Sequence, residues 1–317
     1  MNQPTFQTDR SDYLRQRLVE LPMKTIAAPD RVATAANPLL RQGWRTLSAR
    51  TALVGVAACA GLIAVSQTGV AIQSAHASGV LASVADKASL LPDDQPGPGE
   101  YLLVRTHANW GWTTTRNESG ATEQTIDLYV PSDPAEDWVL DRDWGNTGPG
   151  PQGREVLYAS NGEFYGSQWG GSWNAENIAA LPRDGRALYN YFDSTYQGGS
   201  ASRDDNNFVR ITDLLRTGLV PADVRTGLYD ALALIPGVTT TEDQPNLDGR
   251  EGVAIGRTEP LHAGERQEII VDPNSGLLIG ERTVIQYAVY GLGPNRIASQ
   301  TAIEYDVVGN VPKPQSR

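Results

Sequence analysis

The 317-residue chain has one cysteine, three histidines and three lysines, and no charged residue between Arg50 and Asp86. Each shortage removes a class of protein. One thiol, Cys59, excludes an internal disulfide framework and any thiolate metal cluster. His76, His107 and His262 leave few ways to build a Ser-His-Asp or zinc site, and none sits in a recognisable motif. His107, expected at a strand end, and His262, expected in a turn, read as ordinary surface residues, and His76 falls at the membrane edge; no catalytic, cofactor-binding or metal-ligating residue is assigned, and no enzyme is expected. A net charge of −11 disfavours nucleic acid and anionic lipid surfaces as partners, because both need a basic face. The shortage of lysine beside abundant arginine, alanine and glycine is the bias of a GC-rich bacterial genome.

Within the charge-free stretch, Thr51 to Ile72 (TALVGVAACAGLIAVSQTGVAI) is long enough to cross a bilayer as one helix, since a span needs about 20 apolar residues. It divides the chain into an inner tail, residues 1–50, and an outer α+β domain, residues 78–317. The tail holds eight basic and four acidic residues, a net of +4, so the −11 of the whole chain leaves −15 beyond the span. Arg41, Arg45 and Arg50 crowd the N-terminal mouth of the span, and such residues are retained in the cytoplasm. The expected topology is single-pass in the cell membrane, N-terminus cytoplasmic and C-terminal domain extracytoplasmic. Ala75-His76-Ala77 satisfies an export-cleavage pattern, but some fifty residues precede the apolar run where a signal peptide has a short basic segment. Val56-Ala57-Ala58-Cys59 resembles a lipidation site, yet Ala60 to Val65 stay apolar where a lipoprotein turns polar. An uncleaved anchor with Cys59 as a plain membrane thiol is the expectation.

In the tail, Asp9 to Leu21 predicts a short helix with Leu14, Leu18 and Leu21 on one stripe, stopped by Pro22. Beyond the span, Ser78 to Leu91 has Val80, Val84 and Leu91 at helical spacing and either continues the anchor or caps the domain. Strands are predicted at Tyr101–Thr106, Gln124–Val130 and Trp138–Asp141. Asn161-Gly162, between Glu155–Ala159 and Glu163–Gly166, is a two-residue hairpin signal. Gln197 to Ser202 reads as a flexible loop.

Asn206 to Thr217 forms a helix with Phe208, Ile211 and Leu215 on one face, Asp204 and Asp205 as candidate caps and Gly218 past its end. Pro221 opens a second helix with the stripe Val224, Leu228, Leu232 and Ile235, ended by Pro236-Gly237. Four strands follow, at Glu251–Thr258, Gln267–Asp272, Leu277–Tyr290 and Ile297–Val308. Their short connections require antiparallel pairing. Strands, a helical block, then strands predict an antiparallel sheet curled over helices, half-barrel-like.

Asp243 to Gly249 (DQPNLDG) resembles a calcium loop, but aligning Gly249 with its sixth position puts Ile255 where a bidentate Glu is needed. A tight turn is the better account. Trp110, Trp112, Trp138, Trp144, Trp169 and Trp173 all fall early in the outer domain. They fill a core, line a pocket for a hydrophobic ligand, or stack on sugars; the first is the default.

The motifs PGPGEYLLVR, LYDALALIPGV, LDGREGVAI and EIIVDPNSGLLIGE, in this order after a charged tail and single span, resemble an actinobacterial family of uncharacterised single-pass membrane proteins. The strand, helix, strand order is distantly similar to the half-barrel of periplasmic lipoprotein carriers and sigma-E regulatory proteins. The resemblance implies a sensor or regulator linked to a cytoplasmic sigma factor or other regulator, or else an anchored carrier for a lipid or other hydrophobic ligand. It implies no catalytic residue. The first fifty residues hold no His or Cys, which excludes a zinc-binding anti-sigma domain there.

Overall fold

The computed structural model describes residues 76–90, 95–113, 119–146, 151–168, 174–262, 264–287 and 294–313. The expected inner helix, the Thr51–Ile72 span, Leu91, Trp169 and Trp173 lie outside these residues. Among the described residues no helix is long and apolar enough to cross a membrane.

Helix α1 (76–90) comes first. Strands β1 (Tyr101–Thr113), β2 (Ser119–Pro131), β3 (Asp137–Asp143) and β4 (Arg154–Ser160) follow, then the two-residue strands β5 (Glu163–Phe164) and β6 (Ser167–Gln168). The helical block is α2 (Ala175–Ala179), α3 (Gly185–Ser194), α4 (Arg203–Arg216) and α5 (Ala222–Leu232). Strands β7 (Val238–Pro245), β8 (Glu251–Glu259), β9 (Glu265–Val271), β10 (Leu278–Ile285) and β11 (Arg296–Val308) complete the domain. Nine strands form one sheet in the order β4-β3-β2-β1-β11-β10-β9-β8-β7. Its pairings are antiparallel, as short connections require. The two strand blocks are joined by β1 and β11, in register from Tyr101 opposite Val308 to Trp110 opposite Ser299. The sheet is open, with β4 and β7 as edges, and the α+β class holds.

Because side chains alternate across a strand, the sheet has two different faces. Val104, Ile126, Leu128, Val130, Leu140, Ile255, Ile269 and Ile303 share one core with Leu188, Phe192, Phe208, Ile211, Leu214, Leu228 and Leu232 of the helices. On the opposite, open face lie the smaller clusters Leu103, Tyr129 and Val139, and Ala254, Ile270 and Ile279.

The predicted stripe Val224, Leu228, Leu232 and Ile235 is buried throughout. For α4 the N-cap is Ser202, not Asp204 or Asp205: its hydroxyl accepts from Asp205 N–H at 3.0 Å, and the two aspartates sit in the first turn, where the helix dipole favours them. Asn161 and Gly162 have φ of 54° and 72°, as the hairpin signal requires, but β5 pairs onward with β6 instead of folding back onto β4. Helix α3 and strand β7 are new. Sequence periodicity passes over α3 because its packing rests on a gap: a Cβ on Gly185 would lie 2.3 Å from Asp230 Cβ, and one on Gly227 would lie 2.3 Å from Arg183 O, so α3 and α5 meet at backbone distance. Strand β7 has a single apolar residue, Val238, before Thr239, Thr240 and Thr241, which suits an edge.

Candidate functional site

Two features stand apart from ordinary packing: the docking of α1, and a turn strapped over the open face. In α1, Ala77, Leu81, Val84, Ala85 and Ala88 form one buried stripe, each 3% exposed or less. Of the expected stripe, Val84 is buried, Val80 is partly buried against the core and Leu91 lies outside the described residues. Small residues in this stripe let the helix approach closely. A Cβ on Gly276, whose φ is +67°, would lie 2.8 Å from Ala88 N and Cβ, and Tyr229 donates its hydroxyl to Gly276 O at 2.8 Å. Toward the C-terminal end of α1, Arg225 donates to Ala88 O (3.4 Å) and Thr226 to Ala85 O (3.3 Å), both from α5. Burial, then the carboxylates of Asp86 on α1 and of Asp184, pushes Asp230 up. The helix thus caps the domain and belongs to its core.

Of the expected turn Asp243–Gly249, Asp243 to Pro245 belong to β7 and Asn246 to Gly249 form the tight turn, with Gly249 N–H donating to Asn246 O at 3.1 Å. Its position was not legible in the sequence. Asn246 is 5% exposed; its side-chain oxygen accepts from Asp248 N–H (3.1 Å) and Arg250 N–H (2.9 Å), and its amide donates to Ile279 O on β10 (2.8 Å). Leu247 N–H donates to Thr301 O on β11 at 3.2 Å. Asp248 reaches β1, where its carboxylate lies 2.5 Å from His107 Nδ1, while His107 Nε2 lies 2.8 Å from Glu123 on β2. A turn between two strands at one edge is thereby fastened to three strands at the middle of the sheet.

His107 is mid-strand, correcting its expected place at a strand end, and its side chain is 30% exposed. Partial burial works against the charged ring, but the hydrogen bonds it donates to Asp248 and Glu123 prevail and hold its pKa above the usual value. His76 is the first described residue of α1, 3.8 Å from Glu242, and His262 lies in the β8–β9 turn, 3.3 Å from Glu265. The three are not brought together, and among the described residues there is no group of three His, Cys, Asp or Glu able to hold a metal ion.

Beside the strap is a cavity of about 290 Å³ lined by Leu103, Arg105, Arg250, Leu277, Ile279 and Ile303, among others. It opens because β10 pairs β11 only through Arg282–Ile285, whereas β1 follows β11 to Val308. A second, of about 370 Å³, is lined by His76, Thr239, Thr240, Thr241, Thr258 and Arg266. Neither is lined by tryptophan. Trp138 packs against the main core, where Gly162 leaves room for its ring. Trp144 donates to Glu155 at 2.7 Å beneath the Arg142 guanidinium, 3.3 Å from its ring centre. Trp110 is half-buried on β1.

No family model matches the chain, and no curated protein sequence matches it. Among solved structures, the Pseudomonas aeruginosa MucA/MucB complex is similar over 75% of this chain and 59% of that one, at 11% identity and a TM-score of 0.29. The chain thus spans less than two thirds of that relative. A LolA superfamily protein from Nitrosomonas europaea is similar over 73% of this chain and 94% of its own, at 9% identity and a TM-score of 0.15. At TM-scores this low, neither likeness assigns a function to the chain.

Proposed function

We propose that the chain is a non-enzymatic, membrane-anchored sensor or regulator. Residues 51–72 cross the cell membrane, residues 1–50 face the cytoplasm and a regulatory partner there, and the outer domain receives the signal. The partner class suggested by the family resemblance is a sigma factor. The observation that carries this reading is the docking of α1. The described part of the helix starts four residues after the apolar run and is held by Leu81, Val84, Ala88 and two hydrogen bonds from α5. A rearrangement of the domain must therefore move the segment that leads to the membrane.

The alternative, a carrier for a hydrophobic ligand, has less support. The helical face of the sheet is filled by the protein's own Leu188, Phe192, Leu228 and Tyr229, all fully buried, and both described cavities mix charged or polar groups with their apolar lining.

Alkaline-phosphatase fusions after Leu40 and after Gln95 test the anchor: the first should be inactive and the second active. Leu81→Asp tests the regulatory role, because it undocks α1 without touching residues 1–50. Cells carrying it should show a changed transcript profile that disappears when residues 1–50 are also deleted. Active phosphatase at Leu40, or an unchanged profile with normal protein abundance, rejects the reading.

A further inference from the structure

We propose that the signal is the proton concentration outside the membrane, read by His107 as the clasp of the Asn246–Gly249 strap. The inference rests on the sensor reading and names its input.

The geometry requires a charged ring. An imidazolium has two N–H donors, one for Asp248 at 2.5 Å and one for Glu123 at 2.8 Å. A neutral imidazole has one donor and one lone pair, so one of the two carboxylates would face that lone pair at hydrogen-bond distance. Glu123, 72% exposed, then turns to water, and the remaining bond to Asp248 loses its charge assistance.

The surrounding charges push the same way. On β1, Arg105 is committed to Asp127 of β2 at 3.0 Å. On β11, Glu304 stands opposite Arg105, diagonal to His107, with uncharged Ala302 directly across and Gln300 on the other diagonal. In the strap, Arg250 is committed to Asp272 of the β9–β10 turn. With these two pairs neutralised, His107 is the cation among Asp248, Glu123 and Glu304. Losing its proton removes the cation between Asp248 and Glu123: Glu123 turns to water, and the bond to Asp248, without its charge, no longer holds the half-exposed turn.

A continuous path joins the clasp to α1. Arg250 follows Asp248 in the same strap and pairs with Asp272; Gly276 N–H donates to Asp272 O at 2.8 Å; and Gly276 packs against Ala88 of α1. Release of the strap loosens the turn on which the end of α1 rests. The sign follows from the raised pKa of His107: the clasp holds below the ordinary histidine value, near pH 6.5, and is lost as pH rises through the folded value. Acid therefore closes the strap and alkali opens it.

Hydrogen exchange on the full-length protein in lipid nanodiscs, between pH 5 and 9 and corrected for intrinsic exchange, tests this. In the wild type, opening of residues 246–250 should grow with pH, by up to about tenfold for each pH unit separating the folded from the ordinary histidine pKa. His107→Gln should be open and flat with pH. His107→Lys, which keeps a positive charge, should stay protected to pH 9. Arg250→Gln should keep the response of the strap but remove that of residues 76–90. A wild-type profile as flat as that of His107→Gln overturns the clasp, whereas a responsive strap above an unresponsive α1 overturns the coupling. Both results are independent of the phosphatase fusions, which decide the anchor.

Discussion

The two faces of the sheet are stabilised by different physics. On the helical face, Leu140, Leu188, Phe192, Ile211, Leu214 and Leu228 are fully buried, and each large apolar side chain withdrawn from water contributes about 1.5–3 kcal/mol. That contribution hardly depends on pH or salt. On the open face the cross-strand ladder is Arg105–Asp127 beside Asp141–Arg154, with the two aspartates directly opposite one another and each relieved by its own arginine. Further along, Glu268 is shared by Arg266 and Arg282. Apolar burial makes the helical face insensitive to conditions; charge pairing makes the open face responsive, and it carries the His107 clasp.

The largest effect should come from the helical face. Phe192→Ala leaves a cavity beneath α4 and α5 and should cost about 3–5 kcal/mol in urea denaturation. On the open face, Asn246→Ala strands two N–H groups and the Ile279 carbonyl and should cost about 2–3 kcal/mol. A larger loss than for Phe192→Ala would reverse the ranking of the faces. Ser202→Ala removes the α4 cap and a 2.6 Å hydrogen bond to Glu259, for about 1–2 kcal/mol.

The pH profile adds a dependence that apolar burial lacks. Burial opposes ionisation of Asp272, but Asn274 N–H, Ser275 and Arg250 prevail and hold its carboxyl below the ordinary range; Ser202, Arg257 and Leu261 N–H do the same for buried Glu259. Their contributions are present above the unfolded carboxylate pKa, near 4, and lost as pH falls through the folded values. Together with His107, lost in the opposite direction, they predict greatest stability between about pH 4.5 and 6.5, measurable as the urea midpoint across pH. The smallest effects are Arg105→Gln, a loss of about 1 kcal/mol or less in the same assay, and Asp230→Asn, a gain below about 0.5 kcal/mol from relieving Asp86.

Local chemistry determined much of this protein from sequence alone. The Val224–Ile235 stripe, the left-handed pair Asn161-Gly162, the antiparallel pairing and the turn at Asn246–Gly249 all follow from residues a few positions apart. Periods of 3.6 and 2 register which way a side chain points, so elements with a strong apolar stripe were legible. Those without one were not: α3 depends on the close approach of Gly185 and Gly227 to residues some forty positions away, and β7 has only Val238 to mark it.

Tertiary structure alone decided that β1 pairs with β11, that α1 belongs to the core, and that His107 meets Asp248 across 141 residues. A lone histidine mid-strand reads as surface, because nothing nearby in the chain reveals that a turn from the far edge will bring a second carboxylate to its ring. Sequence periodicity records the face a residue occupies; only the folded sheet determines what arrives on that face.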